Sequence, residues 1–288
     1  MNDDIEKKEN STEPEIIWHY TNAAGFLHIM QPDSWFYGTH YRHLSDRQEC
    51  IRAEEIVDEL MKNKQELNGA YYLEKPEHSF SAYTYYIGCF SKTGKSKMLW
   101  ENNEFCIGFD KKAIEKYIEF FTCRQQIAGK NKLALFGGDE CQKLYDVIYN
   151  EPDFRSYVSG KIEEIMNHSK TIDIDPSQSL AALRYLAKTI YKQDSFKQEE
   201  EIRYVYYLDD FNKNIEKILG KPRIKLFPID HKNMIRMIYI KHQQLAEIPN
   251  YRSAAIKMCN FLKINDVKIK FLDSHLNEIS EKNTEDEE

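Results

Sequence analysis

The chain contains no Cys-x-x-Cys pair. Its six cysteines, Cys50, Cys89, Cys106, Cys123, Cys141 and Cys259, are scattered, which argues against a zinc ribbon or a dithiol redox motif. With no signal peptide ahead of them, they do not read as a disulfide framework in a chain of 288 residues. No apolar run is long enough to span a bilayer. The first residues, Met1-Asn-Asp-Asp-Ile-Glu6, are acidic and lack the hydrophobic core of a signal sequence. These absences predict a cytoplasmic protein with no membrane partner. There is no internal repeat and no long linker.

The body of the chain also lacks a net charge of either sign. The formal total is −7, but residues 1–15 carry −4 and residues 274–288 carry −5, so the part between them stands at +2. Residues 1–14 and 274–288 read as a disordered acidic leader and tail, and residues 15–273 as a single domain. That balance neither indicates nor excludes a nucleic-acid partner. What the chain does have is aromatic surface, with 19 tyrosines among 13% aromatic residues, a ready supply for buried or stacking faces.

Hydrophobic periodicity divides the body into short strands and unequal helices. Strands are expected at 16–21, 35–39, 83–91, 104–109, 223–228, 237–240 and 267–271. Helices are expected at 23–30, 46–64, 110–126, 139–167 and 177–191, with a last one at 245–262 interrupted near Pro249. The rhythm is not that of repeated βαβ units. It predicts an α+β fold with a mostly antiparallel sheet and a helical insertion at about 138–191.

One stretch stands apart. In Phe196-Lys-Gln-Glu-Glu-Glu-Ile-Arg-Tyr-Val-Tyr-Tyr207 three glutamates enter a β-branched and aromatic run. Read as a strand, it puts Glu199, Glu201 and Arg203 on one face. Like charges side by side are unfavourable in a strand. Either the strand start is solvated, or a carboxylate pair is held at the mouth of a sheet to stabilise positive charge.

Other candidates are weaker. His40, His43, Asp46 and Glu49 recur every three residues, but the first two fall in a loop and a metal site is not expected there. Gly88 to Ser96 comes close to a phosphate-binding loop but has one residue too many between its glycines, and no evident helix follows. Cys89 is expected to be a buried, inert thiol.

The order of the short motifs is more telling than any one of them. His19-Tyr20-Thr21 is followed by Trp35, Leu44-Ser45-Asp46-x-x-Glu49, Cys89-Phe90-Ser91, Trp100, Cys106-Ile107-Gly108-Phe109-Asp110 and Phe196-x-x-Glu199-x-Glu201-x-Arg203. This series resembles a widespread bacterial domain family of unknown function, whose pattern in turn resembles the ADP-ribosyltransferase superfamily. The resemblance covers most of residues 16–240. It departs after Trp100, where the family usually carries a tyrosine and this chain has Glu101-Asn102-Asn103.

The resemblance implies split, mostly antiparallel sheets around a cleft for NAD, lined by three strands. It implies Glu201, Glu199 and His19 as catalytic residues, with Glu199 engaging the acceptor. His19, Tyr20, Thr21, Phe90, Ser91 and Arg203 would form the NAD site. The chemistry suits such residues, because cleavage of the nicotinamide bond makes an oxocarbenium-like ribose that a nearby carboxylate stabilises mainly in the transition state. A neutral histidine can bond a ribose hydroxyl, Tyr20 or Phe90 can stack on nicotinamide, and Arg203 can keep Glu201 ionised. The expected activity is transfer of ADP-ribose from NAD to RNA, DNA or protein, in a toxin or phage-defence effector that could have a neutralising antitoxin. The alternatives are an inactive nucleotide- or partner-binding module of the same fold, and an NAD glycohydrolase.

Overall fold

The computed structural model describes residues 14–44, 47–63, 83–127, 143–172, 176–209, 216–218, 221–241, 248–262, 264 and 267–279. The strands are β1 (Ile16–Thr21), β2 (Trp35–His40), β3 (Tyr83–Ser91), β4 (Phe105–Asp110), β5 (Leu144–Asp146), β6 (Glu201–Asp209), β7 (Glu216–Ile218), β8 (Lys221–Pro228), β9 (Ile235–Lys241) and β10 (Lys268–Leu272). The helices are α1 (Ala23–Ile29), α2 (Arg47–Lys62), α3 (Lys97–Trp100), α4 (Lys111–Ile127), α5 (Glu151–Ile172), α6 (Ser177–Ile190), α7 (His231–Met234) and α8 (Ile248–Phe261). The fold is α+β, as the periodicity predicts.

β3 is the trunk of the sheet. One of its edges pairs antiparallel with β6 from Tyr83↔Asp209 to Ser91↔Glu201. The other edge is shared. Ser91 pairs with Trp18 of β1, whereas Ile87 and Tyr86 pair with Thr39 and His40 of β2. The sheet therefore forks on this edge. One branch runs β1–β4–β9–β10 and the other β2–β8–β7, with β5 on the far side of β6. Only β9 and β10 form a parallel pair between named strands, and the sheet does not close.

Strand alternation sorts the core into two faces. Ile17, Phe36, Phe90, Ile107, Ile202 and Ile238 look one way and pack under residues of α1, α4 and α8. On the other face Tyr85 and Val205 are covered by α2, α5 and α6. Beside them Trp18, Cys106 and Tyr239 pack with Trp100 of α3 and with Leu276. β4 is buried along its whole length because both of its faces are covered. The segment expected as an insertion thus completes a layer that α2 begins.

Four expectations need correction. Of the helix expected at 139–167, residues 139–142 lie outside the described residues and 143–150 are not helical; α5 begins at Glu151, where Asn150 caps it by accepting from the Asp153 N–H at 2.7 Å. Before it, β5 pairs with Ile202–Tyr204, a contact that no local pattern encodes. Glu199 closes a 3-10 turn instead of opening β6. The expected disordered tail begins too early. Leu276 is buried, Glu278 bridges to Leu272, and the Ile279 N–H donates to the Phe271 carbonyl at 2.9 Å. Pro249 lies in the first turn of α8, where its missing N–H costs nothing. The leader to residue 13 and the tail from 280 lie outside the described residues.

Candidate functional site

Three adjacent strands put Trp18, Ser91 and Glu201 in one row across the sheet. Cross-strand partners share a face. This face therefore carries Trp18 and Tyr20 of β1, Cys89 and Ser91 of β3, and Glu201 and Arg203 of β6.

Glu201 is 6% exposed and ringed by cations. Arg203 grips it with two hydrogen bonds, Nε to Oε1 at 3.0 Å and Nη2 to Oε2 at 2.9 Å. Lys192 Nζ reaches Oε2 at 3.1 Å and also bonds Glu199. Two carboxylates and two cations make a neutral buried set, the arrangement burial demands. The backbone is fixed as well. The Glu201 N–H donates to the Tyr149 hydroxyl at 2.6 Å, and the Glu201 carbonyl accepts from Val147 at 3.0 Å.

Glu199 and Glu201 do not meet through strand alternation. Glu200 between them is left-handed, with φ 45° and ψ 48°. That kink folds the end of the 3-10 turn back so that Glu199 also reaches Lys192. A non-glycine residue in this conformation costs roughly 1–2 kcal/mol, and the surroundings hold it. Lys92 donates its N–H to the Glu200 carbonyl at 2.9 Å, and Ser91 Oγ donates to the Glu199 carbonyl at 2.6 Å.

The electrostatics separate the two glutamates. Burial alone would raise the Glu201 carboxyl, but Arg203 and then Lys192 outweigh it and hold its pKa at about 2. For Glu199 burial outweighs Lys192, and its carboxyl is pushed up. Burial, aided by the charge of Glu201, raises the Cys89 thiol well above its ordinary range, which keeps it protonated and unreactive. A carboxylate with pKa about 2 is no proton donor near neutrality. It is a permanent negative charge, suited to accepting hydrogen bonds and stabilising positive charge.

The loop after β3 borders the row. Tyr20 donates its hydroxyl to the Thr93 carbonyl at 2.7 Å and accepts from the Ser96 N–H at 2.9 Å. Gly94 lies against the stacked rings of Trp18 and Tyr239, so close that a Cβ would come within 2.7 Å of Tyr239 and 2.8 Å of Trp18. Ser96 is 4% exposed, and its Oγ has no hydrogen-bond partner.

The expected site residues thus divide. Glu199, Glu201, Arg203 and Ser91 come together, and Tyr20 of the same face reaches the Thr93–Ser96 loop beside them. His19, Phe90 and Thr21 do not join them. The Phe90 ring is buried in the opposite face, stacked on Phe36 at 4.8 Å, and has no surface to offer a nicotinamide. Thr21 is buried at the end of β1 against the first turn of α1.

His19 fills the fork. Between Ser91 and Ile87 the β3 edge meets neither β1 nor β2, and His19 Nδ1 donates to the Cys89 carbonyl there at 2.9 Å. Its ring packs edge-on to Phe36 and Phe90. Burial, with a smaller effect from Arg223, lowers its pKa to about 4, so the ring is neutral. Its evident task is to satisfy a carbonyl that the split sheet leaves without a strand partner.

Sequence reasoning missed Lys192, Tyr149 and Ser96. The first two reach Glu201 only through tertiary packing. Ser96 lies in the stretch that comes close to a phosphate-binding loop, and only its unpaired buried hydroxyl reveals it. The rings of His40 and His43 lie 5.6 Å apart. The side chains of Asp46 and Glu49 lie outside the described residues, among which no group of His, Cys, Asp and Glu is arranged to hold a metal. Among the described residues, too, no helix is long and apolar enough to cross a membrane.

The fold and the site define an α+β protein with an open, forked, mostly antiparallel sheet and a buried, ionised carboxylate at the start of β6. Residues 90–204 match a family described as a protein of unknown function, DUF2971. The match runs from Phe90 to Tyr204, so it contains Ser91, Trp100 and the Glu199–Glu201–Arg203 series but not His19. No curated protein and no solved structure matches the chain.

Proposed function

We propose that the chain is an NAD-dependent ADP-ribosyltransferase that modifies RNA, DNA or protein in the cytoplasm, as a toxin or phage-defence effector that could be held in check by an antitoxin. The observation that supports this most is the row Trp18–Ser91–Glu201. The three strands named by the motif resemblance are neighbours, and the third begins with a carboxylate kept charged inside the fold; on the first strand it is Trp18, not His19, that shares the face of that carboxylate. In this reading Glu201 stabilises the oxocarbenium-like ribose. Glu199, with its raised pKa, is the better placed of the two to take a proton from the acceptor. Ser96 Oγ, buried and unpaired, is the group on this face that most needs a polar ligand. His19 is assigned to the scaffold.

A second reading is favoured by the engagement of both Glu201 oxygens with Arg203 and Lys192. It is a binding module of the same fold without catalysis. Incubation with labelled NAD and cell extract separates the readings. The transferase reading expects free nicotinamide and label on a macromolecule, identified by nuclease or protease digestion. Release of nicotinamide without labelled product points to a glycohydrolase. No release from the folded protein leaves the binding module.

A further inference from the structure

We infer that Lys192 is a positioning residue that holds Glu199 and Glu201 together as an ionised pair for the chemical step, an inference that rests on the transferase reading above. Lys192 lies two residues past the end of α6, and its main chain is fixed by donation to the Ile148 carbonyl at 3.0 Å. The side chain is 8% exposed and runs past the Phe196 ring, with Nζ 4.9 Å from the ring centroid. Nζ ends between the two carboxylates, bonding Glu201 Oε2 at 3.1 Å and Glu199 Oε2. Arg203 is placed differently, with its bonds directed to Glu201 and to the Thr189 carbonyl. Lys192 therefore links the carboxylate assigned to the ribose with the one assigned to the acceptor.

The charges show why this link matters. The groups that face Glu201 are Arg203 on β6, Lys192 after α6, Glu199 on the 3-10 turn, the Cys89 thiol on β3 and the Tyr149 hydroxyl before α5. With Lys192 the four charged groups sum to zero. Without it, two buried carboxylates share one cation. Such a pair takes up a proton or moves apart, and either response costs Glu201 its charge or its place. Lys192 touches no reacting atom in this account and acts through the carboxylates.

The test compares wild type, Lys192→Met, Lys192→Arg and Lys192→Met/Glu199→Gln, each verified as folded. The measurements are nicotinamide release from NAD between pH 4 and 9 and NAD affinity by calorimetry. Methionine keeps the length under Phe196 and removes the charge. The expected result for Lys192→Met is a kcat at pH 7 lower by about ten-fold or more. Its rate should also fall more steeply toward pH 4 than the wild-type rate does, while NAD affinity changes much less. Lys192→Arg should recover part of the rate. The double variant, in which the charge is again balanced, should return the fall toward pH 4 to nearly the wild-type steepness even if the single variant folds poorly. Wild-type kcat and pH profile in Lys192→Met, or in a folded double variant a fall as steep as in the single one, overturns the role. If wild type itself releases no nicotinamide, the transferase reading fails first.

Discussion

Replacing His19 is the most informative perturbation of the scaffold, because its effect depends on pH in a way the structure specifies. His19 is neutral in the folded protein, with a pKa of about 4 against 6.5 for a free side chain. Between those values the unfolded chain binds more protons than the folded one, so stability falls as pH drops from about 6.5 to about 4. The full window of 2.5 units corresponds to about 3 kcal/mol. At pH 7 a second cost is visible. His19→Ala leaves the Cys89 carbonyl unsatisfied in the fork, worth about 1–3 kcal/mol, and removes a ring packed on Phe36 and Phe90. Urea unfolding of wild type and His19→Gln at pH 7.5 and pH 4.5 tests the account. The wild type should lose some 2–3 kcal/mol more than the variant over that interval. Glu201 does not confuse the result. Its lowered pKa keeps its contribution above pH 4.5 and loses it only as pH falls toward 2. Equal losses in the two proteins would mean that His19 does not sit neutral in the fork.

Other substitutions and truncations probe the same framework. Gly94→Ala should destabilise by about 1–3 kcal/mol, read as a lower Tm, because the new methyl meets the Trp18 and Tyr239 rings. Deleting residues 1–13 and 280–288 should leave Tm nearly unchanged, since both segments are strongly charged and poor in apolar residues. Deleting from residue 274 instead should lower it, since Leu276 and the bridge from Glu278 to Leu272 are lost.

Much of the fold is legible in the sequence. β1, β3 and β4 are β-branched and aromatic runs whose two faces must both be buried, and the strand pattern at 83–91 is read to the residue. α6 is equally clear because its apolar face repeats at helical spacing. β5 is not legible. Three residues, Leu144–Asp146, carry no period, and only pairing with β6 makes them a strand. The candidate site is half legible. The Glu-x-Glu-x-Arg series is conspicuous, because like charges at a strand start need a compensating partner. The pairing of Glu199 with Glu201 is right, but alternation is the wrong reason for it, since Glu200 is left-handed. Lys192 is invisible from spacing alone, as nothing local joins the end of α6 to the start of β6. His19 misleads for a physical reason. A histidine near the end of a strand beside a cleft and one that plugs a forked sheet look the same until the Cys89 carbonyl is in view.

Glu201→Gln shows whether Glu201 stabilises positive charge on a ribose. The substitution keeps the size and removes the charge. Nicotinamide release and NAD affinity should be measured on the same folded wild-type and Glu201→Gln proteins. The rate should fall by about 10²–10³, roughly 2.7–4 kcal/mol of lost transition-state stabilisation, while NAD binding is largely kept. Full nicotinamide release from folded Glu201→Gln would contradict that role.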